Sequence, residues 1–210
     1  QELADQVVHD RPGVTVTAGG GAIIYSQINT QTEHDLMLME SIAVPLSFLV
    51  LVWVFGGLVA AALPILVGGL AMTGTLAVLR TITFFTDVSV FALNVATALG
   101  LALAIDYTLL IISRYRDEVA EGQPRDQALI RTMVTAGRTV LFSATTVGLS
   151  MAAMLMFPMY FLTSIAYAGI ATVAFAAAAA VIVTPAAIWL LGDRLDALSL
   201  PRLFRRDTTP

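Results

Sequence analysis

Cysteine is absent from all 210 residues, and so is lysine: the 11 cationic side chains are all arginine. Without cysteine there is no disulfide framework, no thiolate nucleophile and no cysteine metal site, and the redox compartment is not legible. Charge of either sign is scarce, at 12% of residues, about half of what a soluble domain carries. No basic patch points to nucleic acid. No glycine-rich loop closes on a lysine to cradle a phosphate, so nucleotide chemistry has no support. Nothing in the sequence calls for a metal or a cofactor. The chain opens at Gln1 with polar sequence, which reads as neither a signal peptide nor a native start, and the expectation is a piece of something longer.

What the chain does have is uncharged length. With 58% hydrophobic residues and a mean hydropathy of +0.84, its natural solvent is lipid. Crossing a hydrocarbon core takes about 20 mostly apolar residues in a helix. Ser41 to Leu79 runs 39 residues without a charge, and Gly56-Gly57 divides it into predicted helices at 36–55 and 58–79. The tract between Asp87 and Arg114 is interrupted only by Asp106 and predicts one span, 88–113. Thr139 to Gly192 is 54 residues without a charge; Phe157-Pro158 breaks it into 139–156 and 161–191. Five spans result. Pro45, Pro64 and Pro185 fall inside them and are expected to kink them.

Arginines near span ends stay on the cytoplasmic side. With residues 1–35 outside, alternation puts nine arginines inside (114, 116, 125, 131, 138, 194, 202, 205 and 206) against Arg11 and Arg80 outside. The expected organisation is an extracytoplasmic segment over 1–35, a bundle over 36–192, a cytoplasmic loop over 114–138 and a cytoplasmic tail over 193–210. The first segment shows a turn at Pro12-Gly13 and an alternating strand Val14–Ala18. It is too short to be a domain alone. In the loop, Gly122 ends one short helix and Pro124 opens another. Leu129, Met133 and Ala136 recur there at helical spacing, which suits a helix along the inner headgroups or an ordinary solvated connector.

Asp106 carries the chemistry. It stands eight residues before Arg114, about 12 Å along a helix axis, and an ionised carboxylate at that depth costs at least about 2.5 kcal/mol. Such a group normally faces a protein interior or a water path, and in that setting it can take up and release a proton. Tyr107 supplies a hydroxyl about 100° further round the helix, aimed at an adjacent helix. The face of Asp106 is expected to hold Leu99, Ala102, Leu103, Leu109 and Leu110, with Gly100 and Ala104 allowing close approach. Ser143, Thr145 and Thr146 are candidates to bond Asp106 or hold water beside it; equally, they can return their hydroxyls to their own helix. Gly68, Gly69 and Gly74, and the run Ala176–Ala180, read as packing surfaces. Asp106 also admits a purely structural role as a packing anchor. It has no second intramembrane carboxylate to pair with, which excludes an aspartyl protease dyad and leaves a proton relay incomplete.

The run Gly100-Leu101-Ala102-Leu103-Ala104-Ile105-Asp106-Tyr107, continuing through Ser113-Arg114-Tyr115-Arg116-Asp117-Glu118, resembles the fourth transmembrane helix of the MmpL family, the mycobacterial membrane protein large transporters of the RND superfamily. Gly137-Arg138-Thr139-Val140-Leu141-Phe142-Ser143-Ala144 resembles the start of its fifth helix. Phe157-Pro158, Ala166-Tyr167 and Leu191-Gly192-Asp193-Arg194-Leu195-Asp196-Ala197-Leu198 extend the similarity through the sixth. The resemblance implies an all-α membrane fold: helices two to six of one RND repeat, with a short α/β remnant of an extracytoplasmic porter domain. It further implies a non-enzymatic function, proton-driven export of lipids or other hydrophobic molecules across the plasma membrane. Asp106 and Tyr107 match the family's first Asp-Tyr pair, and Ser143 a polar position beside it. The companion pair would come from a second repeat or a second chain. Leu110 departs from the phenylalanine that several relatives carry. The all-arginine usage fits a GC-rich, actinobacterial source. The alternative is a non-transporting remnant, or a sterol-sensing-like module that binds lipid or a partner.

Overall fold

The computed structural model describes residues 21–85 and 88–192. The strand, the turn and the α/β remnant expected before Gly21, and the tail after Gly192, lie outside the described residues. All described elements are helical: α1 (Gly21–Phe55), α2 (Leu58–Ile82), α3 (Val90–Ala120), α4 (Arg125–Thr132), a π turn (Met133–Gly137), α5 (Arg138–Ala153), a 3₁₀ turn (Met154–Met156) and α6 (Tyr160–Leu191). The chain divides into two compact units, 1–43 and 44–210. In the first, the described backbone is the opening part of α1, where Gln31 Nε2 donates to Asp35 Oδ1 at 2.9 Å. All that follows concerns the second.

Five helical stretches are long and apolar enough to cross a membrane: Met37–Phe55, Leu58–Ile82, Phe91–Ala120, Arg125–Met156 and Tyr160–Leu191. The protein is therefore a multi-pass helical membrane protein. In lipid, a helix is the open-chain way to satisfy every backbone group, so uncharged runs of Ala, Leu and Val adopt it whatever their fine pattern. The ends are set by local chemistry. Gly56 takes φ +65 and closes α1. After α3, Gly122 adopts φ +86 while Gln123 N donates to Glu118 O at 3.2 Å and Gly122 N to Val119 O at 3.0 Å. This is the left-handed cap that glycine accepts without strain.

Several boundaries differ from the expectation: α1 begins at Gly21 instead of 36 and α2 runs on to Ile82. α3 continues past 113 to Ala120, because charged residues outside the apolar tract remain good helix formers and Arg114 pairs with Glu118 one turn on. The stretch after Pro124 belongs to the following span: α4 passes through the π turn directly into α5. Pro45, Pro64 and Pro185 lie inside α1, α2 and α6, which continue through them.

The centre of the second unit is the packing of α2, α3 and α6 on one another, with α5 against α6. Small residues make this close. Ala60, Ala61, Ala71, Ala104, Ala176 and Ala180 are all fully buried, and between apolar helices in lipid such backbone proximity is the main source of attraction. Phe91 of α3 meets Phe161 of α6 edge to face, ring centroids 5.5 Å apart. α1 joins this core through Phe48, Leu51, Val52 and Phe55, its last two turns.

Candidate functional site

α3 places Asp106 and Tyr107 on different faces, as consecutive residues of a helix must be. Tyr107 is turned inward and is 5% exposed. Its Oη lies 3.4 Å from Ser143 Oγ on α5, a long hydrogen bond in which either hydroxyl can donate. Asp106 is turned outward. Ala98, Ala102, Asp106, Leu110 and Ser113 form an exposed strip along α3, while Leu99, Leu103 and Leu109 are half-buried against the core. Among the described residues, Asp106 has no hydrogen-bond or ion-pair partner.

The structure thus brings Tyr107 and Ser143 together and sets Asp106 beside them, facing away from its own bundle. Thr145 and Thr146 are not drawn in. Each hydroxyl donates to its own helix, Thr145 Oγ1 to Leu141 O at 2.8 Å and Thr146 Oγ1 to Phe142 O at 2.9 Å, and both residues are exposed. The helix contacts that hold α3 in place come from the small residues. A Cβ on Gly68 would fall 2.9 Å from Leu101 Cδ1 and 3.8 Å from Ala104 Cβ, so α2 and α3 meet there, and a Cβ on Gly100 would fall 3.1 Å from Thr172 Cγ2 on α6. Gly74 lies under the Phe175 ring. Gly69 corrects the expectation: nothing lies within 4 Å of its Cβ position, because it sits one residue, and so about 100°, away from the packed face of Gly68.

Four features escaped the sequence reading. Glu118, 3% exposed at its side chain, accepts from Arg114 Nη2 at 2.5 Å, and Arg131 Nη1 of α4 stands 3.8 Å from its other oxygen. Arg116 Nη1 donates to the main-chain oxygen of Phe55 at 2.8 Å. The Arg114–Glu118 spacing of four residues was the available signal for the first; nothing local announces the second. Thr108 and Thr184 are fully buried with hydroxyls that find no partner among the described residues. Other buried threonines, Thr75, Thr132 and Thr172, donate to the carbonyl four residues back. No group of three His, Asp or Glu residues stands together among the described residues to hold a metal.

Apolar spans that carry one carboxyl on an outer strip and a phenol locked into the core define a class, the multi-pass membrane proteins with an ionisable group within an apolar span. The model of the MMPL family matches residues 1–208. The chain belongs to the MMPL family, a branch of the RND superfamily. It is 43% identical over 193 residues to the trehalose monomycolate exporter MmpL3 of Mycobacterium tuberculosis, covering 92% of this chain and 20% of the exporter. It is 39% identical over 180 residues to a putative membrane protein of Streptomyces coelicolor, covering 86% of this chain and 26% of that protein. To the mycolic acid-containing lipids exporter MmpL11 of Mycolicibacterium smegmatis it is 34% identical over 161 residues, covering 77% of this chain and 17% of the exporter. The chain thus spans from about a sixth to about a quarter of the length of these relatives.

Proposed function

We propose that this chain is the first-repeat membrane bundle of a proton-driven exporter of lipids or other hydrophobic molecules, in which Asp106 takes up and releases the driving proton and Tyr107, held by Ser143 on the neighbouring face, is its companion hydroxyl. The observation that carries the reading is the placement of Asp106: a carboxyl within an apolar span, on a strip that its own bundle leaves open. A group so costly to hold in lipid calls for a partner across that strip. A second repeat, or a second chain, with a companion Asp-Tyr pair fits the need. Two relatives named as exporters of mycolic-acid lipids support a cargo of long-chain amphiphiles. The arrangement we assign is plasma-membrane, with residues 1–35 as the end of an extracytoplasmic porter domain. The bundle occupies 36–192, with 114–138 and 193–210 on the cytoplasmic side. Moving a proton would then favour one packing of the bundle over another, which is transport and not catalysis.

The test uses the full-length protein in proteoliposomes under an imposed proton gradient, with export of a fluorescent long-chain glycolipid as readout. Asp106→Asn keeps the shape of the side chain and removes its titration; export should stop while membrane insertion is unchanged. Tyr107→Phe should slow export and leave folding nearly intact, because the hydroxyl's bond at 3.4 Å is long and contributes about 0.5 kcal/mol. Export by the Asp106→Asn protein at the unaltered rate would remove the relay and favour a lipid-binding module without proton coupling.

A further inference from the structure

The relay leaves one well-made contact unused. α3 extends beyond the apolar tract, and on that extension Arg116 reaches the end of α1. Its Nη1 donates to Phe55 O at 2.8 Å, and its guanidinium lies 5.1 Å from the centroid of the Phe55 ring. Phe55 is the last residue of α1, and Gly56, at φ +65, ends the helix there. The carbonyls of a helix's last turn have no partner within the helix and carry its partial negative charge. One guanidinium therefore meets three demands: it donates to an orphan carbonyl, stands at the negative end of the dipole and stacks on an aromatic face.

What makes this contact matter is how little else among the described residues holds this end of α1. Over 44–55, Leu51 and Phe55 are the buried residues. Leu46, Leu49, Val50, Trp53 and Val54 are exposed. Arg116 sits ten residues beyond Asp106 on the same unbroken helix, about 15 Å along the axis. A displacement of α3 at the carboxyl is carried to the guanidinium with little loss, since one helix connects them.

We propose that Arg116 is a positioning residue that couples α3 to α1, so that movement of the helix bearing Asp106 carries the end of α1 with it. The proposal rests on the proton-driven reading above. Without the guanidinium, α3 would still answer to the proton but α1 would follow loosely, and proton passage would separate from cargo movement.

The experiment measures both quantities in the same proteoliposomes of the full-length protein: internal pH by a trapped dye, and export of the fluorescent glycolipid. Arg116→Ala should pass protons at close to the unaltered rate while export per proton falls at least tenfold. Arg116→Lys should recover part of the coupling, because an ammonium can still donate to the Phe55 carbonyl but has no plane to stack. Unchanged export per proton in Arg116→Ala would overturn the proposal. So would a parallel loss of both activities that Arg116→Lys fails to restore, since that is the signature of a bundle merely weakened. If Arg116→Ala does not reach the membrane, Phe55→Leu keeps the carbonyl and removes the ring; a two- to threefold loss of coupling is then expected, and unaltered coupling refutes the role. Asp106→Asn in the same assay isolates the underlying reading. Continued proton passage and export in that variant defeats the relay, whatever the arginine variants do.

Discussion

Alanine at position 100 should destabilise the bundle, and alanine at position 69 should not. A Cβ on Gly100 would fall 3.1 Å from Thr172 Cγ2 and 3.7 Å from Met72 Cγ. Met72 is flexible and can yield; Thr172 cannot. Thr172 is fully buried, and its Oγ1 donates to Ala168 O at 2.7 Å, which holds the rotamer of a side chain already stiff from branching at Cβ. Relief therefore requires α3 and α6 to move apart by a few tenths of an ångström, loosening the contacts on either side. Overpacking of this kind costs about 1–3 kcal/mol. Alanine's better helix propensity returns about 1 kcal/mol, leaving a net loss of up to about 2 kcal/mol. At Gly69 no atom lies within 4 Å, so only the propensity term operates and the change is neutral or stabilising by up to about 1 kcal/mol. Thermal melting of the full-length protein in detergent, read as the fraction surviving as a monodisperse peak, orders the two variants. Equal stability, or the reverse order, would mean that α3 and α6 do not meet at Gly100 as described.

Two more outcomes follow from groups apart from Asp106 and Tyr107. Thr108→Val removes a buried hydroxyl without a partner and keeps the side-chain shape; melting should be unchanged or raised, by up to about 1 kcal/mol. A drop of comparable size would show that the hydroxyl is bonded in the folded protein. Glu118→Gln removes the charge that Arg114 and Arg131 share, so α4 should open more readily. Hydrogen exchange of the 125–132 amides should quicken about two- to fivefold, the equivalent of roughly 0.5–1 kcal/mol for a half-exposed ion pair, and unaltered exchange would show that the carboxylate does not hold α4.

The spans were legible because lipid imposes one rule on them: an uncharged run of sufficient length becomes a helix, and Gly56-Gly57 and Phe157-Pro158 mark where a run must turn. Asp106 was legible for the complementary reason, as the one charge inside such a run. What the pattern could not supply was direction. Gly68 and Gly69 look alike in sequence, and only the placement of Leu101 and Ala104 separates the packed one from the open one. Composition likewise cannot tell a hydroxyl aimed at another helix, as in Ser143, from one returned to its own, as in Thr145 and Thr146. Arg116 was hidden for a different reason. Its partner is a main-chain carbonyl 61 residues earlier, and any residue type at position 55 would present one. The join of α4 to α5 was missed because the arginines at 125, 131 and 138 look like the end of a span, whereas a helix can continue into water wherever its charged face is solvated.

The π turn over Met133–Gly137 has a bearing on how this helix can vary. Such a turn holds one residue more than the regular ladder needs. Losing that residue would restore an ordinary α-helix and turn everything beyond it by about 100° relative to what precedes it. Position 143 would then no longer present its hydroxyl to Tyr107, although no residue of the contact had been altered. A chain of this kind can therefore change which side chain meets the phenol by a single insertion or deletion six to ten residues away, at the start of the helix.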